Sequence, residues 1–384
     1  MKNQCLIQFE WRKLLSKSTL LLLLVFLIIK VVFLWFTTLP DTDDQLYKGL
    51  IGQIQGELSE EKGDWLEQEK QHRDAVMSGY PQMKADYIKG EISYEQFHPY
   101  DLEFESISKE KIAFERLYQK YRYFLQKGEE HQELIQMSEK GDVYLQRSSQ
   151  ISLEQFIKPM LFFYDTGWGK AIGEGTMDYF LLIFLMMVCI PYFLKEHECG
   201  MVDIVGVSAK RNVLYAYKTL HILLFGFLCA VLSQGIELIF YMARYEFPCS
   251  QASLQSIEAF AAYPHSLSVF SAAVCSIFLR LCGIISLLFF TCAVCMLTKK
   301  IVASLLVYIV VVFFPAIGQY SLSSGVTAYL FPHILSGSQV FASYEFYNWL
   351  GYPVPNIWIM MAFYVILLAA SVFVIWKRCN CLKS

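Results

Sequence analysis

The sequence predicts an all-α polytopic membrane protein with about six transmembrane helices, an N-terminal interfacial helix, a helical extracellular domain and a re-entrant external segment before the last span. Three observations carry that expectation. Of 384 residues 55% are hydrophobic and 17% charged, against about 25% charged in ordinary soluble domains. The apolar residues gather into runs long enough to cross a bilayer. The charges are segregated, with acids crowded into one long polar segment and Lys and Arg at the ends of apolar runs, so the net charge of -3 says little about partners.

Residues 1–18 read as a cytosolic interfacial helix. Ile7, Trp11, Leu14 and Leu15 form an apolar stripe, and Arg12, Lys13 and Lys17 lie away from it. Residues 19–39 supply the first transmembrane helix. A cleavable signal peptide competes with that reading, but its apolar region usually runs about 7 to 15 residues. Here the run is longer and ends in Trp35, Phe36 and Pro40, which favours a retained span.

Residues 40–176 are polar and predict an extracellular helical domain. Leu46, Leu50, Ile54 and Leu58 repeat every four residues, and Phe114, Leu117, Tyr121, Phe124 and Leu125 form a second stripe, as two long helices in an antiparallel pair require. Their connection is expected within 79–100, where Pro81, Pro99 and a capping box from Ser93 to Gln96 stand. The charge-rich faces read as solvated surface. No cysteine falls in this segment, so it is not a disulfide scaffold.

Residues 177–384 form the membrane domain, with five further spans at 177–194, 220–243, within 267–297, at 301–320 and at 357–376. The run at 267–297 would measure roughly 46 Å as one helix, so its first residues are expected in the outer interface or bent there. Basic residues cluster at alternate connections: Lys2, Arg12, Lys13 and Lys17; Lys195, Lys210, Arg211 and Lys218; Lys299 and Lys300; Lys377, Arg378 and Lys383. These connections, with both termini, are therefore expected in the cytosol of a bacterial cell, and 40–176 outside the plasma membrane.

Recognisable catalytic patterns are missing. Gly169 and Lys170 resemble the end of a phosphate-binding loop, but Tyr164 and Ala171 replace its glycine and hydroxyl residue. Gly167, Gly169 and Gly173 beside Trp168 read as flexible backbone at a membrane boundary. His197 lies between Glu196 and Glu198, but adjacent helical residues do not face one metal ion. Cys379 and Cys381 read as juxtamembrane thiols. No catalytic residue, metal site or directly bound cofactor is expected, and no nucleic-acid partner.

The charged residues inside the spans are more informative, because each costs a few kcal/mol at the bilayer centre and turns to protein or water. Lys30, Glu237 and Arg280 all fall in the outer half of their spans. Glu237 is expected to pair with Lys30 or Arg280, either locking the bundle or lining a polar path.

The cytosolic loop 195–218 carries Glu196, Glu198 and Gly200, a short amphipathic stretch, Ser208, Arg211 and then Lys218. This pattern resembles ATP-binding-cassette permeases of the type-two exporter class, whose members share an N-terminal interfacial helix, six spans, a coupling helix between the second and third, and re-entrant helices before the sixth. A candidate for the last is 321–356, rich in aromatic residues such as Phe331, Phe341 and Trp349. Met201, and Ala209 or Lys210, stand where the family often has a hydroxyl residue and a proline. The resemblance implies a separate ATPase subunit that binds ATP and grips this loop, a second copy of the permease or a related one, and contact with membrane lipid. It assigns Glu196 and Glu198 to ATPase contact or loop anchoring, Gly200 to helix punctuation, and Arg211 and Lys218 to contact with the ATPase or lipid phosphate. The alternative is a membrane sensor or scaffold whose extracellular domain binds a ligand or envelope partner without transport. Peptides, antibiotics and lipid-like molecules all remain open as substrates.

Overall fold

The computed structural model describes residues 2–39, 41–140, 142–173, 178–200, 211–318, 331–342 and 345–380. Its helices, numbered in chain order, are α1 (Lys2–Leu14), α2 (Lys17–Thr37), α3 (Thr42–Gln53), α4 (Glu60–Lys89), α5 (Tyr94–Lys140), α6 (Val143–Leu153), α7 (Thr166–Ile172), α8 (Tyr179–Glu198), α9 (Arg211–Arg244), α10 (Val269–Thr298), α11 (Ile301–Gly318), α12 (Phe331–Ser336), α13 (Gln339–Ala342) and α14 (Asn356–Asn380). Strands β1 (Phe346–Trp349) and β2 (Tyr352–Pro355) form a small antiparallel hairpin.

Five helices are long and apolar enough to cross a membrane: α2, α8, the Leu214–Arg244 part of α9, α10, and the Ile357–Arg378 part of α14. The protein is an all-α polytopic membrane protein, with a short β-hairpin among the described residues. The run expected at 301–320 appears as α11, whose apolar described part, Ile301–Phe314, is shorter than the other five; residues 319–320 lie outside the described ones. α10 is the hub of the bundle, with 61% of its apolar window buried against 17% for α2 and α14. It runs as one helix from the Ser268 cap, whose hydroxyl accepts from Ser271 N at 3.2 Å. The bundle core joins Phe184, Leu185, Phe193, Phe225, Leu287 and Leu288 with Ile334 and Leu335 of α12.

α1 docks on α8 and α9 rather than lying free at an interface. Leu14 is buried, Trp11 meets His221 edge-on at 4.8 Å, and Glu10, not Leu15, completes the buried face. Leu15 is 42% exposed. Glu10 is stabilised there by Tyr192 Oη, which donates at 3.1 Å, and by Lys13 Nζ at 3.3 Å.

Residues 41–165 build the helical unit. α4 and α5 are antiparallel: Arg73 reaches Glu110, Lys70 reaches Glu115 and Tyr118 reaches Glu67, so numbers fall on one helix as they rise on the other. Their connection is only 90–93, not the broader 79–100 expected. Gly90 takes φ +79°, closing α4, and Ser93 N donates to Gln96 Oε1 at 3.1 Å, one arm of a capping box. Pro81 and Pro99 therefore lie inside α4 and α5. Each removes one helical hydrogen bond, and packing across the pair compensates: Tyr80 stacks on Phe104 at 3.5 Å between centroids, and Tyr100 Oη donates to the Val76 carbonyl at 3.0 Å. The first stripe is not one long helix, because α3 ends at Gln53 and α4 begins at Glu60, leaving Leu58 between them, and the long antiparallel pair is α4 and α5. Leu50, Ile54, Phe114, Leu117, Tyr121 and Phe124 still enter the core of this unit, whereas Leu125 is exposed.

A third cluster, built on Phe163, Trp168, Ile172, Leu254, Phe260 and Phe341, cements the helical unit to the bundle. The glycine-rich stretch expected as flexible backbone is here the buried helix α7. A Cβ on Gly167 would lie 2.4 Å from the Glu246 carbonyl oxygen, so the glycine serves close packing, not mobility.

Candidate functional site

The structure brings Lys30, Glu237 and Arg280 together at the bundle end that carries the helical unit. Lys30 projects from α2, Glu237 from α9 and Arg280 from α10. Lys30 Nζ lies 2.7 Å from Glu237 Oε1, and Arg280 Nη1 lies 3.5 Å from Glu237 Oε2. Both expected pairings are present at once, because Glu237 offers one oxygen to each cation. Lys30 also donates to the Ser233 hydroxyl and to Asp178, which caps α8 by accepting from Leu181 N at 3.0 Å. At 2% exposure Lys30 is wholly inside the protein, so two carboxylates and a hydroxyl must replace its water.

Asp178 is the member of this cluster that sequence reasoning missed. Its signal was present: a carboxylate just inside an apolar run, facing a lysine that needed a second anion.

Arg280 is held differently. Its Nη2 donates to the Ile172 carbonyl at 2.9 Å and its Nε to the Ser336 carbonyl at 3.0 Å. These carbonyls end α7 and α12, where helical geometry leaves acceptors without donors. The next residues, Gly173 and Gly337, take φ +92° and +71°. A Cβ on Gly173 would fall 1.3 Å from Arg280 Nη2, and one on Gly337 would fall 2.9 Å from Arg280 Nε. Glycine is thus required twice, to turn the chain and to admit the guanidinium.

These groups line a cavity of about 330 Å³. It reaches from Thr38, beyond the end of α2, to Lys30 two turns inside, with Lys170 of α7, Gln234 and Tyr241 of α9 and Leu335 of α12 in its walls. Phe33 and Phe180 meet edge-on at 5.1 Å across α2 and α8 and belong to the same walls.

At the opposite end, the 195–218 residues form a second ionic knot. Glu196 accepts from Lys13 of α1 and, at 2.7 Å, from Lys218 of α9. α9 begins at Arg211, two turns before the expected span, so Lys218 lies within the helix and is 1% exposed. A side chain buried so completely on Glu196 offers no surface to an ATPase or a lipid phosphate, so Lys218 ties α9 to α8 instead of making the expected contact. Glu198 Oε1 accepts from Ile301 N at 3.3 Å, capping α11. Gly200 has φ +68° just beyond the α8 C-cap, a turn that glycine favours. His197 pairs with Tyr215 at 2.8 Å. Arg211 opens α9. The stretch 201–210, where the coupling helix was expected, lies outside the described residues, as does 321–330 of the re-entrant segment.

The helical unit is fastened by a third cluster. Asp165 accepts from Lys120 Nζ at 2.7 Å, Arg116 Nη2 at 3.2 Å and Tyr47 Oη at 3.3 Å. Burial pushes the Lys120 ammonium pKa down, with Asp165 opposing it. Burial, then Asp165, pushes the Tyr47 phenol up. Hairpin β1–β2 ties the same unit to α14: Tyr144 Oη donates to the Phe346 carbonyl at 3.2 Å, and Arg147 stacks over Tyr352 at 4.0 Å.

No family model matches the chain, and neither a curated protein nor a solved structure does.

Proposed function

We propose that the chain is the permease subunit of an ATP-binding-cassette exporter of the type-two class, moving a peptide, antibiotic or lipid-like substrate across a bacterial plasma membrane. In this reading α11 is the fifth of six spans and α14 the last, both termini are cytosolic and the 41–165 unit is extracellular. A separate ATPase subunit binds ATP and drives the permease, which pairs with a second copy or a related chain. The observation that carries the reading is the double tether of the last turn of α8, just before the 201–210 stretch. Through Glu196 it holds α1 and α9, and through Glu198 the N-terminus of α11. A push on 201–210 by a closing ATPase would therefore reach four helices together. Discrete ion-pair tethers between rigid helices are the elements through which such displacement travels.

The test is recovery of the full chain in mild detergent with any associated protein that bears a phosphate-binding loop. An ATPase bound to the wild type and lost from a Glu196→Ala, Gly200→Ala double variant is expected. Recovery of no ATPase with the wild type would reject the exporter reading and favour a sensor or scaffold. The rigid fastening of the helical unit through Asp165 suits either function.

A further inference from the structure

We propose that the cavity between α2, α8 and α9 is a binding site for an anionic membrane lipid, a molecule with one negative charge at its head and an acyl chain. Charge supplies the first argument. The walls hold three cations, Lys30, Lys170 and Arg280, and two carboxylates, Asp178 and Glu237. Lys30 is spent on both carboxylates and Ser233, and Arg280 on Glu237 and two carbonyls. The Lys170 ammonium has no ion-pair or hydrogen-bond partner among the described residues. One positive charge is therefore left over in a half-closed site, where a single anion would balance it.

The second argument is independent of charge. Gln234, 7% exposed, lines the cavity with an amide oxygen that has no hydrogen-bond partner. A buried amide without a partner costs on the order of 1–3 kcal/mol. The amide accepts through Oε1, or after a flip donates through Nε2, so it suits a head bearing both phosphate oxygens and hydroxyls.

The third argument concerns the chain. Phe33 and Tyr179 line the cavity and are also 49% and 43% exposed on the outer face of the bundle. The cavity therefore opens sideways between α2 and α8, toward the bilayer. At about 330 Å³ it holds a head and the start of a chain, near the lower end of ligand pockets at roughly 300–1,000 Å³. The remainder of the acyl chain would lie along the apolar face of α2, where Ile29 and Phe36 are exposed. This site goes beyond the exporter reading, since it binds its ligand with no ATPase present.

The experiment offers dioleoylphosphatidylglycerol and dioleoylphosphatidylcholine in equal amounts to the purified full chain without ATPase, and counts retained lipid by native mass spectrometry. Preferential retention of phosphatidylglycerol is expected, with the preference falling roughly 3- to 10-fold in Lys170→Gln and in Gln234→Leu. Lys109→Gln, at an exposed lysine in the helical unit, should leave it unchanged. Lys170→Gln removes no contact of the fold, so that variant decides the matter if Gln234→Leu does not fold. Equal retention of both lipids, or an undiminished preference in Lys170→Gln, overturns the proposal. So does displacement of the lipid by an equal concentration of inorganic phosphate, which would make the ligand a soluble anion.

Discussion

Lys30 and Glu237 are 207 residues apart in the chain and 2.7 Å apart in space. Their contact closes α2 against α9, and Asp178 joins it from the N-terminus of α8, so one ammonium fastens three helices. Breaking a buried pair by removing one partner costs roughly 3–5 kcal/mol, because the other charge is left unpaired. Lys30→Met, which strands Asp178 and leaves Glu237 with Arg280 alone at 3.5 Å, is expected to show a loss of that size in detergent thermal melting. Glu237→Gln should cost less, since Lys30 keeps Asp178 and Ser233 and Arg280 keeps two carbonyls. The double variant should fall short of the summed losses by at least about 1 kcal/mol. Additive losses would mean the two side chains do not interact.

Gly173 and Gly200 both take positive φ, yet they should respond differently to alanine. At Gly200 nothing lies within 4 Å of the new Cβ, so only the left-handed backbone penalty of roughly 1–2 kcal/mol applies. At Gly173 the same penalty is joined by a collision with Arg280 Nη2, which Ile172 holds in place. Gly173→Ala should therefore lower the melting temperature clearly more than Gly200→Ala. Equal shifts would remove Gly173 from the Arg280 cradle.

Alkaline stability should report on the buried phenols of the helical unit. Burial raises the Tyr47 and Tyr123 pKa values, and Tyr123 Oη also donates to the Gln255 carbonyl at 2.8 Å. In the unfolded chain both ionise near their ordinary value of about 10. Above that pH the unfolded state binds fewer protons than the folded one, so stability is complete below about pH 10 and falls as pH rises beyond it. The slope is up to about 1.4 kcal/mol per pH unit for each phenol. Denaturation followed by tyrosinate absorbance should show ionisation and unfolding together, and Tyr123→Phe should flatten the slope. Ionisation of every tyrosine near pH 10 in a still-folded chain would contradict the burial of both.

Asp165 is the clasp that holds α3 and α5 of the helical unit to the chain entering α7. Asp165→Asn leaves the Lys120 ammonium, 4% exposed, with little besides the Phe163 carbonyl at 3.2 Å. A loss of roughly 3 kcal/mol is expected, with faster proteolysis inside residues 41–165. Adding Lys120→Met should restore part of it, because the stranded charge is gone. No rescue would show that Asp165 acts through Arg116 and Tyr47 instead.

What could be read from the chain alone follows from locality. An apolar run of twenty residues is a property of consecutive side chains, and so are the four-residue stripes that place Leu50, Ile54, Phe114 and Leu117 in a core. The membrane class, five of the six expected spans and a helical unit were therefore legible, as was the rarity of Lys30, Glu237 and Arg280 in apolar surroundings. Pro81 and Pro99 misled because a local rule, that proline breaks helices, yields to tertiary aromatic packing around Tyr80 and Tyr100.

Partnership was decided only by the tertiary structure. That Glu237 serves two cations and Lys30 two anions depends on the rotation of α2, α8, α9 and α10 about their axes, which many weak packing contacts set together. The same holds for Lys218, whose sequence suggests a surface charge and whose helix turns it inward onto Glu196. The chain by itself determined which residues are too polar for the bilayer. The fold determined which of them neutralise one another, and left Lys170 and Gln234 facing a cavity with bonding capacity to spare.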